Sequence, residues 1–307
     1  MTTAFVVPVE NDQVNRVRVF HALPTVTPWG QSEQRFGATN VVSTPPSAEI
    51  KHHKPTDSHY ALWVLKGPQT PGARTTFTTK MTIRSVDRNV GPKADKITWS
   101  DYDRPPEDTT AFVEPEVLQQ IYPELAAVAA KIRAENQPVV AVRKISQWIL
   151  DNIKYDASVP YGSGNANVAS IMENKKGHCG HRASIFRQLT ASTGIPMRRV
   201  FGLNLYSPDG RKGGLQAVRA DYTNVHTWAE VYLPSIGWVE VEPSFGNKAF
   251  AIPAKYVQNN QWFQNYAIWI REGSIDKHHE WKPREGGFSS DYGVENIINF
   301  SSKPALN

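Results

Sequence analysis

Residues 177–196, GHCGHRASIFRQLTASTGIP, decide how the central part of the chain folds. Residues 180–193 are expected to form a helix, and a terminal Gly-Ile-Pro gives the sharp stop of a helix C-terminus. The side chains available for packing this helix are Ala183, Ile185, Phe186 and Leu189. Cys179 therefore lies at or near the helix N-terminus, where backbone N–H groups and the helix dipole favour an anion.

The thiol of Cys179 is the first candidate for chemistry. It belongs to the single cysteine among 307 residues, so disulfides within the chain are impossible. A lone cysteine accompanied by His and acidic residues elsewhere is a candidate nucleophile, whereas a buried apolar cysteine is the common structural alternative. A thiol at a helix N-terminus ionises more readily, and its own backbone N–H is a candidate oxyanion-hole donor.

A second stretch, residues 224–244, reads NVHTWAEVYLPSIGWVEVEPS and predicts two strands joined by a short hairpin. Strand alternation places His226 on one face of the first strand, and Glu240 and Glu242 on one face of the second. If Tyr232 lies opposite Ile236, His226 lies opposite Glu242, and a slip of two residues selects Glu240 instead. A carboxylate beside the imidazole would fix its tautomer and stabilise the imidazolium.

The two stretches together resemble the transglutaminase-like superfamily. The family pattern is Gly-x-Cys at a helix start, Gly-Ile-Pro-x-Arg, His-x-Trp-x-Glu and Gly-Trp-x-x-x-Asp-Pro. In this chain the corresponding segments are Gly177 to Cys179, Gly194 to Arg198, His226 to Glu230 and Gly237 to Pro243. The order and spacing of these motifs, over about residues 138–250, make the resemblance specific.

The resemblance implies a Cys-His-acid triad of Cys179, His226 and Glu242, with Glu242 where the family has Asp. It implies a cysteine-dependent hydrolase of peptide or other amide bonds that acts through a thioester. Two alternatives stay open, namely acyl transfer from protein glutamine to an amine, and a catalytically silent module that binds a peptide or glycan. The Glu-for-Asp difference is the feature that favours the silent module.

The rest of the chain predicts an α+β protein. The first hundred residues alternate with period two and indicate an N-terminal antiparallel β-sandwich, residues 1–103, followed by a Pro-rich linker, residues 104–115. Residues 116–262 are expected to form the papain-like, transglutaminase-like catalytic domain. Helical patterns lie at its start, over residues 116–134, where Pro123 is a break or the start of the helix, and over residues 138–154. Residues 263–307 are a C-terminal extension whose fold the pattern does not define.

Composition limits the other classes of function. Hydrophobic residues make up 40% and charged residues 21%, which is typical of a folded globular chain. The net charge of +5 is scattered, so no nucleic-acid partner is predicted, and no apolar run is long enough to cross a membrane. The N-terminus lacks signal-peptide features. We expect a cytoplasmic protein, or a periplasmic or secreted one if a signal peptide has been removed; the oligomeric state stays open.

No metal or cofactor is predicted. His178 and His181 flank Cys179, but this spacing lacks the paired Cys-x-x-Cys of structural zinc, and no calcium loop is present. The two histidines are expected to shape the cleft, where a protonated imidazole would favour the thiolate. A side-chain oxyanion donor is expected upstream of Cys179, and the candidates are Tyr161, Asn165 and Asn167.

Overall fold

A computed structural model describes the backbone over much of the chain. The described ranges are residues 2–6, 16–23, 42–44, 49–53, 58–66, 74–80, 87–104, 121–159, 168–204, 216–219, 225–253, 256–260, 266–270 and 295–300. The described helices are α1 (Pro123–Glu135), α2 (Pro138–Asn152), α3 (Val168–Asn174) and α4 (Cys179–Thr193). Short 3₁₀ turns span Pro92–Lys96, Trp99–Tyr102 and Gly246–Lys248.

The described strands run through the whole chain. They are β1 (Thr2–Val6), β2 (Arg16–Leu23), β3 (Val42–Thr44), β4 (Glu49–His53), β5 (Ser58–Lys66), β6 (Arg74–Lys80), β7 (Lys154–Tyr155), β8 (Lys176–Gly177), β9 (Met197–Asn204), β10 (Gln216–Arg219), β11 (Val225–Leu233), β12 (Gly237–Val241), β13 (Tyr256–Asn260), β14 (Tyr266–Ile270) and β15 (Glu295–Phe300). The mixture of helices and strands that the sequence predicts is confirmed.

Helix α2 forms as its sequence predicts, and α1 begins at Pro123, since the described residues 121 and 122 before it are not helical. Each begins at a proline, Pro123 or Pro138, which has no N–H to leave unbonded in a first helical turn. The apolar face predicted for the second helix is buried, with Val142, Ile145 and Ile149 fully inaccessible. These side chains lie in the main hydrophobic core, which therefore fixes α2 against the rest of the fold.

Helix α4 crosses the centre of this core. Ile185, Phe186 and Leu189 are fully buried in it, as the sequence predicts. The helix ends at Gly194, whose φ of 81° is left-handed and is readily adopted only by glycine. The N–H groups of Gly194 and Ile195 donate hydrogen bonds to carbonyl oxygens of the last helical turn. Both ends of the helix are therefore defined by local sequence.

The sheet beside α4 is antiparallel and has the described strand order β12-β11-β9-β13. Its inward side chains, among them Val231, Val239 and Val241, belong to the same core as the helices. Strand β11 lies inside this sheet between β12 and β9. The helix that begins at Cys179 and the strand that carries His226 are therefore packed against each other.

The register assumed for the β11–β12 hairpin is wrong by two residues. Tyr232 lies opposite Trp238 instead of Ile236, and Leu233 lies opposite Gly237. The connecting turn contains Ser235 at a φ of 65°, and the Ile236 N–H closes it onto Leu233 O at 3.0 Å. Ile236 therefore belongs to the turn and not to the ladder.

Strands from both ends of the chain share sheets. The described order is β10-β15-β1-β6-β3 in one sheet and β14-β2-β5-β4 in another, with antiparallel pairing throughout. The C-terminal extension thus contributes β14 and β15 beside strands of the first 80 residues. Packing of these sheets into an N-terminal β-sandwich stays a prediction, as do the domain boundaries.

The segment of residues 87–104 packs on the helical core. Ala94 and Ile97 are buried among the core residues, and Arg88 forms a β-bridge with Ile252. Residues 105–115 of the predicted linker lie outside the described residues. None of the helices described is long and apolar enough to cross a membrane.

Candidate active site

Cys179 occupies the first position of α4, as the sequence predicts, and is 7% exposed. The strand pair β7–β8 leads the chain into this helix, and Asp156 N–H donates to Gly177 O at 3.1 Å. A Cβ at Gly177 would lie 2.5 Å from the Cβ of His181, so glycine is required there. This close approach explains why a Gly-x-Cys sequence opens the helix.

The imidazole of His226 and the carboxylate of Glu242 are in direct contact. His226 Nε2 lies 2.5 Å from Glu242 Oε2, and both side chains are largely buried. The other oxygen, Oε1, accepts from the Ser244 N–H at 2.8 Å, which fixes the carboxylate. Because Nε2 is used by Glu242, the other ring nitrogen, Nδ1, is left for the hydrogen bond between His226 and Cys179. All three predicted site residues therefore meet.

Glu240, the alternative carboxylate, lies elsewhere. It forms a buried ion pair with Arg88, whose Nη2 donates to Oε1 at 3.0 Å. Trp228 Nε1 also donates to Glu240 Oε1, at 3.0 Å. The carboxylate of Glu240 is thus held by two donors of its own, and Glu242 is the acid next to His226.

Glu242 reaches His226 although the two residues are not opposite each other. The observed register, extended by one residue beyond Val241, sets Glu242 across from Trp228, one diagonal step from His226. Diagonal neighbours are farther apart than directly opposed ones. The additional methylene of Glu relative to Asp lengthens the reach of the carboxylate across this diagonal.

Charges in the site favour an ionised cysteine. Burial alone would raise the pKa of the Cys179 thiol, but several donors outweigh it and lower the pKa to about 5. These are hydrogen bonds from His178 and His226, the charge of His226, and the backbone N–H of Thr227. Burial would lower the pKa of His226, but the charge of Glu242 and the bonds to Cys179 and Glu242 raise it to about 10. The state favoured between these values is a thiolate–imidazolium pair.

Aromatic rings enclose His226. The Trp228 ring stacks on it with centroids 5.7 Å apart, and the Tyr256 ring meets it edge-on at 4.9 Å. Trp228 is fully buried, so it forms a fixed wall beside the imidazole. The imidazole is thereby confined to one orientation.

Tyr256 is a site residue that the sequence reasoning missed. It is buried, and its hydroxyl forms a hydrogen bond with the Glu242 carboxylate. Burial and the neighbouring carboxylate both raise the pKa of its phenol, so the hydroxyl keeps its proton and donates it to Glu242. Tyr256 follows Glu242 by one irregular segment and carries no motif of its own, so no sequence signal identifies it.

We expect Tyr256→Phe to lower the turnover of the proposed reaction by about 3- to 30-fold, because a buried hydrogen bond to a charged group is lost. The ring contacts with His226 and Trp228 remain, so the loss of stability should not exceed that of this one hydrogen bond, about 1.5–3 kcal/mol. Steady-state kinetics and thermal unfolding check both parts. Unchanged kinetics would remove Tyr256 from the site.

A second tyrosine, Tyr155, borders the site on the side of β7. Half of its surface is exposed, and its hydroxyl is within hydrogen-bonding reach of the Cys179 backbone N–H. Burial first, and then the charge of Cys179, raise the pKa of its phenol. The Arg182 guanidinium donates to Ile153 O at 2.5 Å, and its central carbon lies 5.4 Å from the Tyr155 ring centroid.

Three further sequence expectations concern the oxyanion donor, the protonation of His181 and a metal site. Tyr161, Asn165 and Asn167 lie outside the described residues, so the upstream oxyanion donor stays a prediction. Burial and the neighbouring His178 lower the pKa of His181 to about 4, so a protonated His181 does not support the thiolate near neutral pH. Within the described ranges, no cluster of three or more His, Cys, Asp or Glu residues is placed to hold a metal.

A cysteine that begins a buried helix and meets a histidine on an antiparallel sheet is the arrangement that papain-like proteins use. Residues 126–243 match the family model of the transglutaminase-like superfamily. This part of the chain is therefore a transglutaminase-like core, and the family resemblance of its motifs is confirmed.

Two sequence relatives and one solved structure are similar to parts of this chain or to nearly all of it. YebA of Bacillus subtilis is 36% identical over 92 residues, which are 29% of this chain and 12% of YebA. A protein of Haemophilus influenzae is 34% identical over 119 residues, which are 35% of this chain and 32% of its own length. The structure of a candidate cysteine protease from Cytophaga hutchinsonii aligns over 97% of this chain and 96% of its own, at 14% identity and a TM-score of 0.48.

Proposed function

We propose that the chain is a cysteine-dependent hydrolase of peptide or other amide bonds, with a thioester acyl-enzyme on Cys179. The observation that carries the proposal is the hydrogen bonding of His226 on both sides, to Cys179 and to Glu242. A nucleophile, a base and an orienting acid in one chain of contacts is the arrangement that acyl transfer requires. A binding module has no need for an imidazole held in this way.

The proposed steps use each atom of this chain of contacts. The Cys179 thiolate attacks the carbonyl carbon, and the imidazolium of His226 gives its Nδ1 proton to the departing amine. Water then gives a proton to Nδ1 as it attacks the thioester carbon. The acid is released, the sulfur leaves as the thiolate, and the thiolate–imidazolium pair is restored. Glu242 accepts from Nε2–H throughout and keeps the imidazole in the required tautomer.

Trapping of the acyl-enzyme tests this function. The protein is mixed with a panel of peptide amides and glutamine-containing peptides. The reaction is quenched in acid, and the mass of the protein is measured by mass spectrometry. We expect the acyl part of a substrate on Cys179, no adduct in Cys179→Ala, and free acid in solution. Absence of both acylation and turnover over the panel, in a protein whose Cys179 is inert, would favour the binding module.

An added amine separates hydrolysis from acyl transfer in the same experiment. Both reactions share the thioester and differ only in the group that attacks it. If the substrate leaves as the acid in the presence of a millimolar primary amine, the protein is a hydrolase. If the amide of that amine dominates, the alternative of glutamine acyl transfer replaces it.

Around this core we propose the two-domain architecture, with an N-terminal β-sandwich over residues 1–103 and a linker over residues 104–115. The catalytic domain then spans residues 116–262. The pairing of β14 with β2 and of β15 with β1 supports a role for residues 263–307 as additional strands of the N-terminal sheets.

A further inference from the structure

A second, smaller hydrophobic cluster borders His226. Its buried members are Val200, Trp228, Ile252 and Tyr256. The ring centroids of Trp228 and Tyr256 lie 5.3 Å apart, and both rings contact the imidazole of His226. The orientation of the imidazole therefore depends on how firmly these two rings are held.

Arg88 binds this cluster at two points of its backbone. The Arg88 N–H donates to Ile252 O at 2.7 Å, and the Ile252 N–H donates back to Arg88 O at 2.8 Å. The guanidinium continues to the next ring, since Nη2 donates to Tyr256 O at 2.9 Å. Arg88 is only 2% exposed, so these bonds do not compete with water.

The same guanidinium reaches Trp228 through Glu240. Nε and Nη2 of Arg88 both donate to the carboxylate, and Nη2 lies 3.0 Å from Oε1. Trp228 Nε1 donates to the same Oε1, also at 3.0 Å. Glu240 is fully buried, and its bond to a charged donor is of the strong, directional kind. The indole is therefore held by its N–H as well as by packing.

Stability alone does not explain the pair of Arg88 and Glu240. Replacing a buried ion pair by apolar side chains of similar volume is often neutral or stabilising, because two charges have lost their water. Apolar side chains cannot supply direction, and here the bonds run to the two residues whose rings confine the imidazole. Arg88 and Tyr256 also lie on either side of residues 126–243, so their contact joins the two segments that flank the transglutaminase-like core.

We propose that Arg88 is a positioning residue for His226, since it fixes both rings that confine the imidazole. It acts on Trp228 through the Glu240 carboxylate and on Tyr256 through the backbone oxygen. This inference rests on the proposed function, in which Nδ1 of His226 exchanges its proton with substrate and water. A displacement of about 1 Å that originates away from the chemistry can cost about 10²-fold in rate. Loss of the Arg88 bonds should therefore slow turnover without weakening substrate binding.

Three variants separate this role from stability. Arg88→Met with Glu240→Gln removes the donor to Tyr256 O and the buried charge together, while the amide oxygen still accepts from the indole. Arg88→Met with Glu240→Leu removes the acceptor of the indole as well. Leu125→Ala is the matched control, because Leu125 is fully buried in the main core, on α1, and its truncation leaves a destabilising cavity away from His226.

The measurements are kcat and KM on the substrate that acylates the protein, and the pH dependence of Cys179 alkylation by iodoacetamide, all below the unfolding temperature of each variant. We expect Arg88→Met with Glu240→Gln to lower kcat about 3- to 30-fold at nearly unchanged KM, and to raise the thiol pKa by about 0.5 to 1 unit. The variant with Glu240→Leu should show both effects more strongly. Leu125→Ala should unfold at a lower temperature than wild type and keep the wild-type kcat and thiol pKa.

Each outcome decides the proposal. Wild-type kcat and thiol pKa in both folded double variants would overturn it and leave the proposed function intact. An effect in the Glu240→Leu variant alone would also overturn it, since the indole acceptor and not Arg88 would be the cause. An equal effect in Leu125→Ala would assign the loss to stability.

If neither double variant folds, Arg88→Lys decides by the same measurements. Its ammonium keeps the charge beside Glu240, but it lacks the fork that serves Glu240 and Tyr256 O together. A wild-type kcat and thiol pKa in Arg88→Lys would overturn the proposal. A wild-type Cys179 that titrates as an ordinary thiol would contradict the proposed function first and this inference with it.

Discussion

Replacing Cys179 or His226 by alanine should lower the rate of amide hydrolysis by on the order of 10⁴- to 10⁶-fold, and the double variant should be no slower than the single ones. In the proposed mechanism the two side chains act in one step, because the thiolate that attacks and the imidazolium that protonates the amine form one ion pair. Once either is absent, the other has no catalytic partner. What remains is the assistance of backbone donors around the carbonyl oxygen.

The rates are measured as kcat/KM at pH 7 on the substrate that acylates the protein. Wild-type protein alkylated with one equivalent of reagent on Cys179 is the matched control, since Cys179 is the single cysteine of the chain and mass spectrometry can confirm that one group is added. It should be as inactive as Cys179→Ala. A loss below about tenfold in either single variant, or losses that multiply in the double variant, would argue against a shared step.

Arg88→Met should destabilise the fold by about 3–5 kcal/mol, the largest stability effect that we expect from one substitution. Glu240 is completely buried, and burial raises the pKa of its carboxyl, an effect that the charge of Arg88 opposes. Without Arg88 this carboxylate is left in the interior without its cation. The loss also reaches the site, because Arg88 Nη2 donates to Tyr256 O at 2.9 Å.

Denaturant unfolding of three variants checks this prediction. Arg88→Met with Glu240→Gln should recover most of the loss, because the charge is gone and the amide oxygen can still accept from Trp228. Lys175→Met is the control for an exposed ion pair, with Glu124, and should cost below about 1 kcal/mol. Equal losses for Arg88→Met and Lys175→Met would show that the buried pair is not important.

Helix α4 is predictable because its signals are local. All of these signals lie within the length of the helix. They are the Gly-x-Cys start, the apolar packing residues and the Gly194 stop, and each can be recognised from the residues of the helix alone. The face of β11 that carries His226 is predictable for the same reason, because alternation is a property of a single strand. Neither inference needs a distant residue.

The wrong register shows where local reasoning stops. Alternation fixes the face of a strand, but a slip of two residues keeps every side chain on the same face. The positive φ of Ser235 decides the turn, and a serine gives little sequence signal for it. Glu242 was nevertheless the right neighbour of His226, because its longer side chain spans the diagonal.

Contacts between distant parts of the chain could not be predicted at all. Arg88 and Glu240 are separated by 152 positions, and nothing in either local pattern selects the other. The same holds for Tyr256 beside His226, and for the pairing of β15 with β1. Such partners are chosen by the three-dimensional packing and not by periodicity.

The central claim, a thiolate–imidazolium pair of Cys179 and His226, is tested most directly by alkylation of Cys179 with iodoacetamide between pH 4 and pH 11. The thiolate is the reactive form, so the rate rises with pH through the thiol pKa. Wild type should reach half its maximal rate near the thiol pKa of about 5, and His226→Ala at least about 2 units higher. Above about pH 10, His226 loses its proton, so turnover should fall while alkylation stays fast. A Cys179 that is inert until denaturation, or that titrates near the ordinary value of about 8.5 in both proteins, would contradict the claim.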